Sequence, residues 1–343
     1  MTEQRVDTAD AHTVAAIREG DEQAFAALTR RHRRELHVHC YRMLASFEDA
    51  EDLVQETFLR AWQKRDTYLG RAPFRAWLYR IATNACLDFL ARQERRVIEI
   101  GVHGDPGSDG MVAPHVEWLQ PYPDRLFGAQ TAQADPVAAV IGKETMELAY
   151  IVAMQYLPPR QRAVLILRDV LEWSASETAA LLDSSVAAVN GALQRARATL
   201  RERRPARDSA SAGSPSAEEE RRIVRQYVEA TERCDVDAIV RLLTRDARFT
   251  MPPAPMAFVG AEAIMRSSVE GGFGSPPYDD FRCLVTRANG MPAVANYLGV
   301  EGEAHYRPFT VDVLRIEGGA IAEITAFEVE TLLDAFALPR TIA

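Results

Sequence analysis

"LPPRQRAVLILRDVLEWSASETAALLDSSVAAVNGALQRARATLRERR", Leu157 to Arg204, decides how this chain is to be read. Its spacing predicts a first helix over about Arg160–Val170, a short second over about Ala175–Leu182, and a long third after the turn Asp183-Ser184-Ser185. Ser184 or Ser185 caps the third helix, since a serine hydroxyl accepts from an orphan N–H of the first turn. Within that helix Val186, Val189, Leu193, Ala196 and Leu200 step by three and four, which makes them the core row. Ala187, Asn190, Gln194, Arg197 and Arg201 form the opposite row. Small residues at the start of that row allow close approach to a groove, and Asn, Gln and Arg are the side chains that hydrogen-bond base edges. Two helices joined this way put the start of the second on bases and its basic neighbours on phosphates. Ser185, Ala187, Asn190, Gln194, Arg195 and Arg197 are therefore candidate DNA contacts.

The whole chain of 343 residues carries a formal charge of −9, which argues against a nucleic-acid binder only if the charge is evenly spread. It is not. Residues 1–96 hold 16 basic and 15 acidic side chains, and residues 141–207 hold 10 and 7. Residues 97–140 hold 1 and 6, and residues 208–343 hold 13 and 21. The acid lies outside the two blocks in which DNA-binding patterns occur, and local basic surface is what binding requires.

Upstream, "FRAWLYRIATNACLDFLARQERR" (Phe74 to Arg96) reads as a helix with an apolar stripe at Phe74, Trp77, Leu78, Ile81 and Ala85. Arg75, Tyr79, Thr83, Asn84 and Asp88 lie off the stripe, and Arg92, Arg95 and Arg96 end it. Arginines beside a ring and an amide suit single-stranded DNA: phosphate meets guanidinium and an unstacked base meets the ring. The bland alternative is an arginine-rich helix end favoured by the helix dipole. In "ASFEDAEDLVQETFLRAW" (Ala45 to Trp62), Ser46 is the N-cap and Ala50, Leu53, Val54, Phe58, Ala61 and Trp62 form the buried face. Asp49, Asp52, Gln55 and Glu56 form an acidic face, edged by Glu48 and Glu51. Such a face is either solvated surface or a dock for a basic partner.

Residues 97–135, rich in Gly, Pro and Asp, read as a linker, and the Ser/Ala/Pro-rich residues 205–217 as a second one. This divides the chain into helical domains at 13–96 and 136–204 and a third domain at 218–336. The third opens with a helix and turns strand-like at "ARFTMPP", "AVANYLGVEG" and "YRPFTVDVLRIEGGAIAEITAFEV", whose Gly-Gly marks a hairpin. Asp246, His305, Tyr306, Asp312 and Glu328 are its acid–base candidates, but they form no recognisable constellation, so no catalysis is expected. His37, His39 and Cys40 put three soft ligands within four residues. On a helix the two histidines face different ways and no fourth ligand is near, so no metal and no cofactor is expected. The four cysteines form no CxxC pair. No apolar run reaches the roughly 18 to 20 residues that cross a bilayer, and the N-terminus lacks a signal pattern, which predicts a cytoplasmic protein without a membrane partner.

The three helical segments, in this order, resemble the extracytoplasmic-function (ECF) sigma factors of the sigma-70 family. "DAEDLVQETFLRAW" resembles the family's polymerase-binding helix, which docks on the coiled coil of the β′ clamp; this implies that Asp49, Asp52, Gln55 and Glu56 face polymerase. "FRAWLYRIATNACLDFLARQERR" resembles the segment that melts and reads the minus-ten element, implying roles for Arg75, Tyr79, Arg80, Asn84, Arg92, Arg95 and Arg96, with Asn84 helping to capture a flipped base. The opening stretch resembles the domain that reads the minus-thirty-five element. Residues 218–336 resemble a SnoaL-like domain of the NTF2-like superfamily, on "LLTRDARFTMPP", "FVGAEAI" and "NGMPAVANYLG".

The resemblance implies two all-α domains, a helical bundle and a helix-turn-helix, followed by an α+β NTF2-like cone with a curved antiparallel sheet. It implies core RNA polymerase (β′ clamp and β flap) and promoter DNA as partners. It also implies a third domain that contacts the sigma domains and tunes them, leaving open whether a dedicated anti-sigma factor serves the chain. Two other readings stand beside it: a helix-turn-helix regulator that acts without polymerase, and a SnoaL-type enzyme with an appended DNA-binding half.

Overall fold

The computed structural model describes residues 19–68, 73–104, 111–131, 144–203 and 215–343. The helical onsets expected at residues 13 and 136, and most of the tether at 205–217, lie outside these. The described residues fall into two compact units: those within Met1–Arg96 and Ala149–Arg204, and those within Val97–Leu148 and Pro205–Ala343. Among them no helix is long and apolar enough to cross a membrane.

The first unit begins with three helices: α1 (Glu22–Leu44), α2 (Phe47–Gln63) and α3 (Phe74–Arg92). The Asp21 carboxylate caps α1 by accepting from the Ala24 N–H at 2.9 Å, and the Ser46 hydroxyl caps α2 by accepting from Asp49 at 3.2 Å. Ala50, Leu53, Val54 and Ala61 of α2 are buried, as the spacing predicts. α2 packs against both α1 and α3, where Leu36, Leu44, Leu78 and Ala82 are also buried, and each buried leucine contributes about 1.5–3 kcal/mol.

The second half of this unit holds α5 (Leu148–Gln155), α6 (Pro159–Leu165), α7 (Ala175–Leu181) and α8 (Val186–Arg203). Pro159 opens α6, where its missing N–H costs nothing. The end of α6 widens into a π turn over Ile166–Val170, closed by the Leu171 N–H on the Ile166 carbonyl at 2.9 Å. Ser174 and Glu177 form a reciprocal capping box at the start of α7. Val189, Leu193, Ala196 and Leu200 of α8 are buried as expected, but Val186 is 45% exposed. It is the first residue of the helix, and the packing against α6 and α7 begins one row position later, at Val189.

The two halves of this unit share a seam. The Arg162 guanidinium is 4% exposed and donates to the Met43 carbonyl at the end of α1, to the Gln155 side chain at 2.6 Å, and to the Gln155 and Leu157 carbonyls. Burial among neutral acceptors pulls its pKa down to about 9.

In the second unit, α9 (Ala217–Glu232), α10 (Val236–Leu242) and α11 (Ala261–Glu270) pack on a seven-stranded sheet. Its order is β2 (His103–Gly104), β5 (Ala254–Val259), β4 (Leu243–Met251), β9 (Ala320–Glu328), β8 (Tyr306–Glu317), β7 (Met291–Gly299), β6 (Phe281–Ala288). Ile223, Val224 and Tyr227 of α9 and Ile264 and Met265 of α11 meet Val294, Leu314, Ile316 and Ile324 from the strands. The sheet is mixed rather than antiparallel throughout, because β4 runs parallel to β9 and β2 parallel to β5. Gly318 and Gly319 take φ of 57° and 82° in the β8–β9 hairpin, the two positive values that its turn requires. A short helix, α12 (Leu333–Phe336), follows β9, and beyond it Ile342 bridges to Tyr306 of β8.

Residues 97–135, read from the sequence as a linker, contain β1 (Ile98–Gly101), β3 (Val112–His115), β2 and α4 (Asp124–Thr131). β1 and β3 form their own antiparallel pair. The segment is held at the β6–β7 turn. Asn289 is fully buried there, at φ 54°. Its Oδ1 accepts from the Tyr122 N–H at 2.8 Å, its Nδ2 donates to the Met146 carbonyl at 2.7 Å, and its own N–H donates to the Tyr122 carbonyl at 2.9 Å. Beside it Gly290 N–H donates to Asp124 at 2.7 Å, and Arg125 donates to the Asp334 and Ala335 carbonyls of α12.

Candidate nucleic-acid interface

The α8 surface matches its sequence pattern closely. Ser185 caps the helix by accepting from the Ala188 N–H at 3.1 Å, which leaves Ser184 outside that role. Ser185, Ala187, Asn190, Gln194, Arg195 and Arg197 are all exposed. The last is engaged: its guanidinium makes a two-point pair with Asp169 of the π turn, at 2.7 and 2.8 Å. That pair raises the Arg197 pKa above its ordinary value. This surface thus presents a small-residue start, an amide pair and exposed Arg195 and Arg201 to solvent.

The α3 surface departs from its pattern. Arg92 and Arg96 are exposed and Asn84 is half-buried. Arg75 is held by Glu35 of α1 at 2.6 Å and lies over the Tyr79 ring, 4.8 Å from its centroid. Burial pushes the Glu35 pKa up, but bonds from His32 and Arg75 outweigh this and keep it below the usual value. Tyr79, placed off the apolar stripe by its spacing, is only 1% exposed, and Thr83 is fully buried. The Tyr79 ring has His39 at 5.0 Å and Trp173 at 5.4 Å, so in this conformation it is not open to a base. Arg80 reaches across to Asp183, 2.8 Å from both carboxylate oxygens. Arg95 pairs with Asp49 at 2.7 Å, which ties one candidate DNA contact to one candidate polymerase contact.

On α2, Asp52 and Gln55 are exposed, Glu56 is paired with Arg60 at 2.7 Å, and Asp49 is half-buried through Arg95. Leu59 is 52% exposed, one turn beyond Gln55 and Glu56 on the same face. The sequence reading passed over it. The signal was present, since Leu59 lies seven residues after Asp52 and off the buried row of Leu53, Val54 and Ala61.

His37, His39 and Cys40 do not converge. His37 faces Glu51 at 3.5 Å and the Phe47 ring at 4.7 Å, His39 Nε2 meets the Thr83 hydroxyl at 2.9 Å, and Cys40 is buried. Burial lowers the pKa of His37 to about 4 and that of His39 to about 3, so both are neutral. Among the described residues no group of three His, Cys, Asp or Glu side chains is placed to hold a metal ion.

The acid–base candidates of the second unit are scattered. Asp246 and Glu328 are exposed, His305 pairs with Glu303 at 2.8 Å, and Tyr306 donates to Asp280 at 3.1 Å. Asp312 alone is buried in a polar cluster, accepting from Tyr227 at 2.9 Å, Asn296 at 2.7 Å and Thr310 at 3.1 Å. Burial raises its pKa, and these bonds oppose the rise. All of its partners belong to the cluster, which is how a structural carboxyl in a core is satisfied.

Two helical modules with an arginine-edged helix and an exposed reading row, joined to an α+β cone, describe a modular reader of DNA. Comparisons with known proteins give it a family. Residues 28–96 match Sigma-70 region 2, residues 147–200 match Sigma-70, region 4, and residues 224–324 match the SnoaL-like domain. The chain is 41% identical to the ECF RNA polymerase sigma factor SigG of Mycobacterium tuberculosis over 331 residues, covering 95% of this chain and 86% of that one. It is 30% identical to SigW of Bacillus subtilis over 190 residues, 55% of this chain and 92% of that one. The crystal structure of the Mycobacterium tuberculosis ECF sigma factor SigJ shares the fold, with a TM-score of 0.59 at 22% identity, over 92% of this chain and all of that one. The chain belongs to the ECF RNA polymerase sigma factors and carries a C-terminal SnoaL-like domain.

Proposed function

We propose that this chain acts in the cytoplasm as a promoter-selecting subunit of RNA polymerase, with its contacts divided among three helices. The observation that carries this is the exposed row Ser185, Ala187, Asn190, Gln194 and Arg195 on a helix whose opposite row is buried. In this reading the row enters the major groove of the minus-thirty-five element and Asn190, Gln194 and Arg195 read base edges. The same half also meets the β flap. Arg75, Tyr79, Arg80, Asn84, Arg92, Arg95 and Arg96 serve the minus-ten strand. Asp52, Gln55 and Glu56, with Asp49 at the margin and Leu59 as an apolar centre, dock on the β′ clamp. An apolar contact ringed by charge is a common interface plan.

The domain limits 13–96, 136–204 and 218–336 belong to the same proposal, and the third domain works as a regulator without a catalytic step. Its support is the Asn289 clasp: the chain that joins the two reading halves is bound within the second unit.

Reconstitution with core polymerase tests this. The holoenzyme should select promoters from a random-sequence library, and Asp52→Arg or Leu59→Asp should abolish co-elution with core while leaving the fold intact. A chain that reads the same DNA equally well without core would sink the reading. Asn289→Ala or removal of residues 208–343 should change the transcript yield; unchanged yield would remove the regulatory role.

A further inference from the structure

Gly191 is the one glycine of α8 and sits in its interior, between Asn190 and Gln194. Relative to alanine, a glycine inside a helix shifts the balance toward the unfolded chain by a factor of about two to five. The fold does not ask for it. Its backbone is helical, so no left-handed conformation requires a glycine here. It lies two residues from each of the buried Val189 and Leu193, about 200° round the helix from both, so it faces away from the covered side. Among the described residues, and outside the backbone of its own helix, a side-chain carbon at this position would have one neighbour within 4 Å: Arg195 Nη1 at 3.5 Å, an ordinary contact. Arg195 comes one turn later and reaches back over the gap, as helical side chains lean toward the N-terminus. The middle of the exposed face is therefore bare backbone bordered by a guanidinium.

The reason for the glycine then lies outside the chain, in what comes up against this face. Backbone N–H and C=O groups in mid-helix are bonded within the helix's own ladder, so the gap offers no hydrogen bond. What it can take is a small apolar group, and the major groove presents one, the C5-methyl of thymine. We propose that Gly191 is a specificity-determining residue of the minus-thirty-five reading, and that the gap over its Cα seats a thymine methyl. This rests on the reading of α8 as the helix that enters the groove. Without a Cβ at residue 191 the helix backbone comes closer to that base pair than alanine or any larger residue would allow. Asn190 and Arg195, on either side of the gap, then reach the base edges of neighbouring pairs.

Holoenzyme made with the full chain, and a promoter duplex that the unaltered holoenzyme selects from a random-sequence library, provide the test. Each thymidine of the minus-thirty-five element, on either strand, is replaced in turn by deoxyuridine, which lacks only the methyl. At one position the affinity of the unaltered holoenzyme should fall about two- to fourfold, the worth of one buried methyl. Gly191→Ala should bind the thymidine duplex at least about fivefold more weakly, because two methyls then compete for one space. On the duplex with deoxyuridine at that position, the same variant should come back to within about twofold of the unaltered chain. Its urea midpoint should rise, since alanine suits a helix interior better. Weaker binding together with higher stability is a result that a merely structural glycine would not give. The proposal is overturned if no deoxyuridine position matters, if deoxyuridine does not rescue Gly191→Ala, or if the urea midpoint falls. Asn190→Ala separates the two levels. If it leaves duplex affinity unchanged, the reading of α8 itself fails; if it weakens binding while Gly191→Ala does not, the role of Gly191 alone fails.

Discussion

The two helices proposed to read DNA, α3 and α8, are of similar length but solve their packing differently. α8 buries one row, Val189, Leu193, Ala196 and Leu200, and leaves the opposite row in water. α3 buries Phe74, Leu78 and Ala85 of its apolar stripe and half-buries Trp77 and Ile81, and it buries Tyr79 and Thr83 on a further face as well. A helix with one covered face keeps its binding residues separate from its stability. On a helix covered from two sides, the same residues serve both.

The sharpest way to break this comparison is a matched pair of truncations. Tyr79→Ala removes a fully packed aromatic and should destabilise the first unit by about 3–5 kcal/mol in urea denaturation. Asn190→Ala should change stability by no more than about 0.5 kcal/mol, yet cost about 1–3 kcal/mol in binding the minus-thirty-five duplex as holoenzyme. A stability loss in Asn190→Ala as large as that in Tyr79→Ala would erase the distinction.

The same contrast explains what the sequence made legible. The α8 row could be read because a single packing face imprints a single periodicity, and only Val186, at the helix entry, fell on the wrong side. Tyr79 could not be placed, because its cover comes from His39 and from Trp173, 94 residues downstream, and its own helix holds no trace of either. Residues 97–135 looked like a linker for the same reason. Among the described residues of this segment, Tyr122 is held by Asn289, far along the chain, and no local repeat announces that contact. In the cone, the Gly-Gly turn gave away its hairpin, while the parallel pairing of β4 with β9 is a long-range choice that no local pattern announces. The acidic face of α2 was visible as spacing, but the pairing of Asp49 with Arg95 was not.

A second test uses acid. His37 and His39 lie on the α1 side of this assembly, and their pKa values are lowered by burial to about 4 and about 3. Above about pH 6.5 both are neutral whether the chain is folded or not, and their contribution to stability is fully present. Below that, the unfolded chain takes up protons that the folded chain refuses, so stability falls through the window from about 6.5 down to about 4 and about 3. At pH 5 the loss is of order 2 kcal/mol for each histidine. Urea midpoints of the first unit should therefore drop between pH 7.5 and pH 5, and His39→Gln should show a shallower drop. The exposed row of α8 contains no titrating group in this range, so its exposure should not follow the same curve. An equal slope in His39→Gln and the unaltered chain would show that buried neutral histidine is not the cause.

The smallest expected effect lies on α8 itself, at Arg197. Its two-point pair with Asp169 joins the reading helix to the π turn after α6, with side-chain exposures of 52% and 26%. Such a pair contributes about 0.2–1 kcal/mol to stability, and while it persists the guanidinium is shared between the fold and any phosphate. Asp169→Asn keeps the shape and removes the competing charge. Stability should fall within that range, while holoenzyme affinity for the duplex should rise at low salt. The plot of log affinity against log salt should steepen by at most about 0.9, one phosphate contact's worth. If the slope does not change, Arg197 is already committed to Asp169 in the bound state. The reading row then ends at Arg195, and even the cleaner of the two helices shares one reading residue with its own fold.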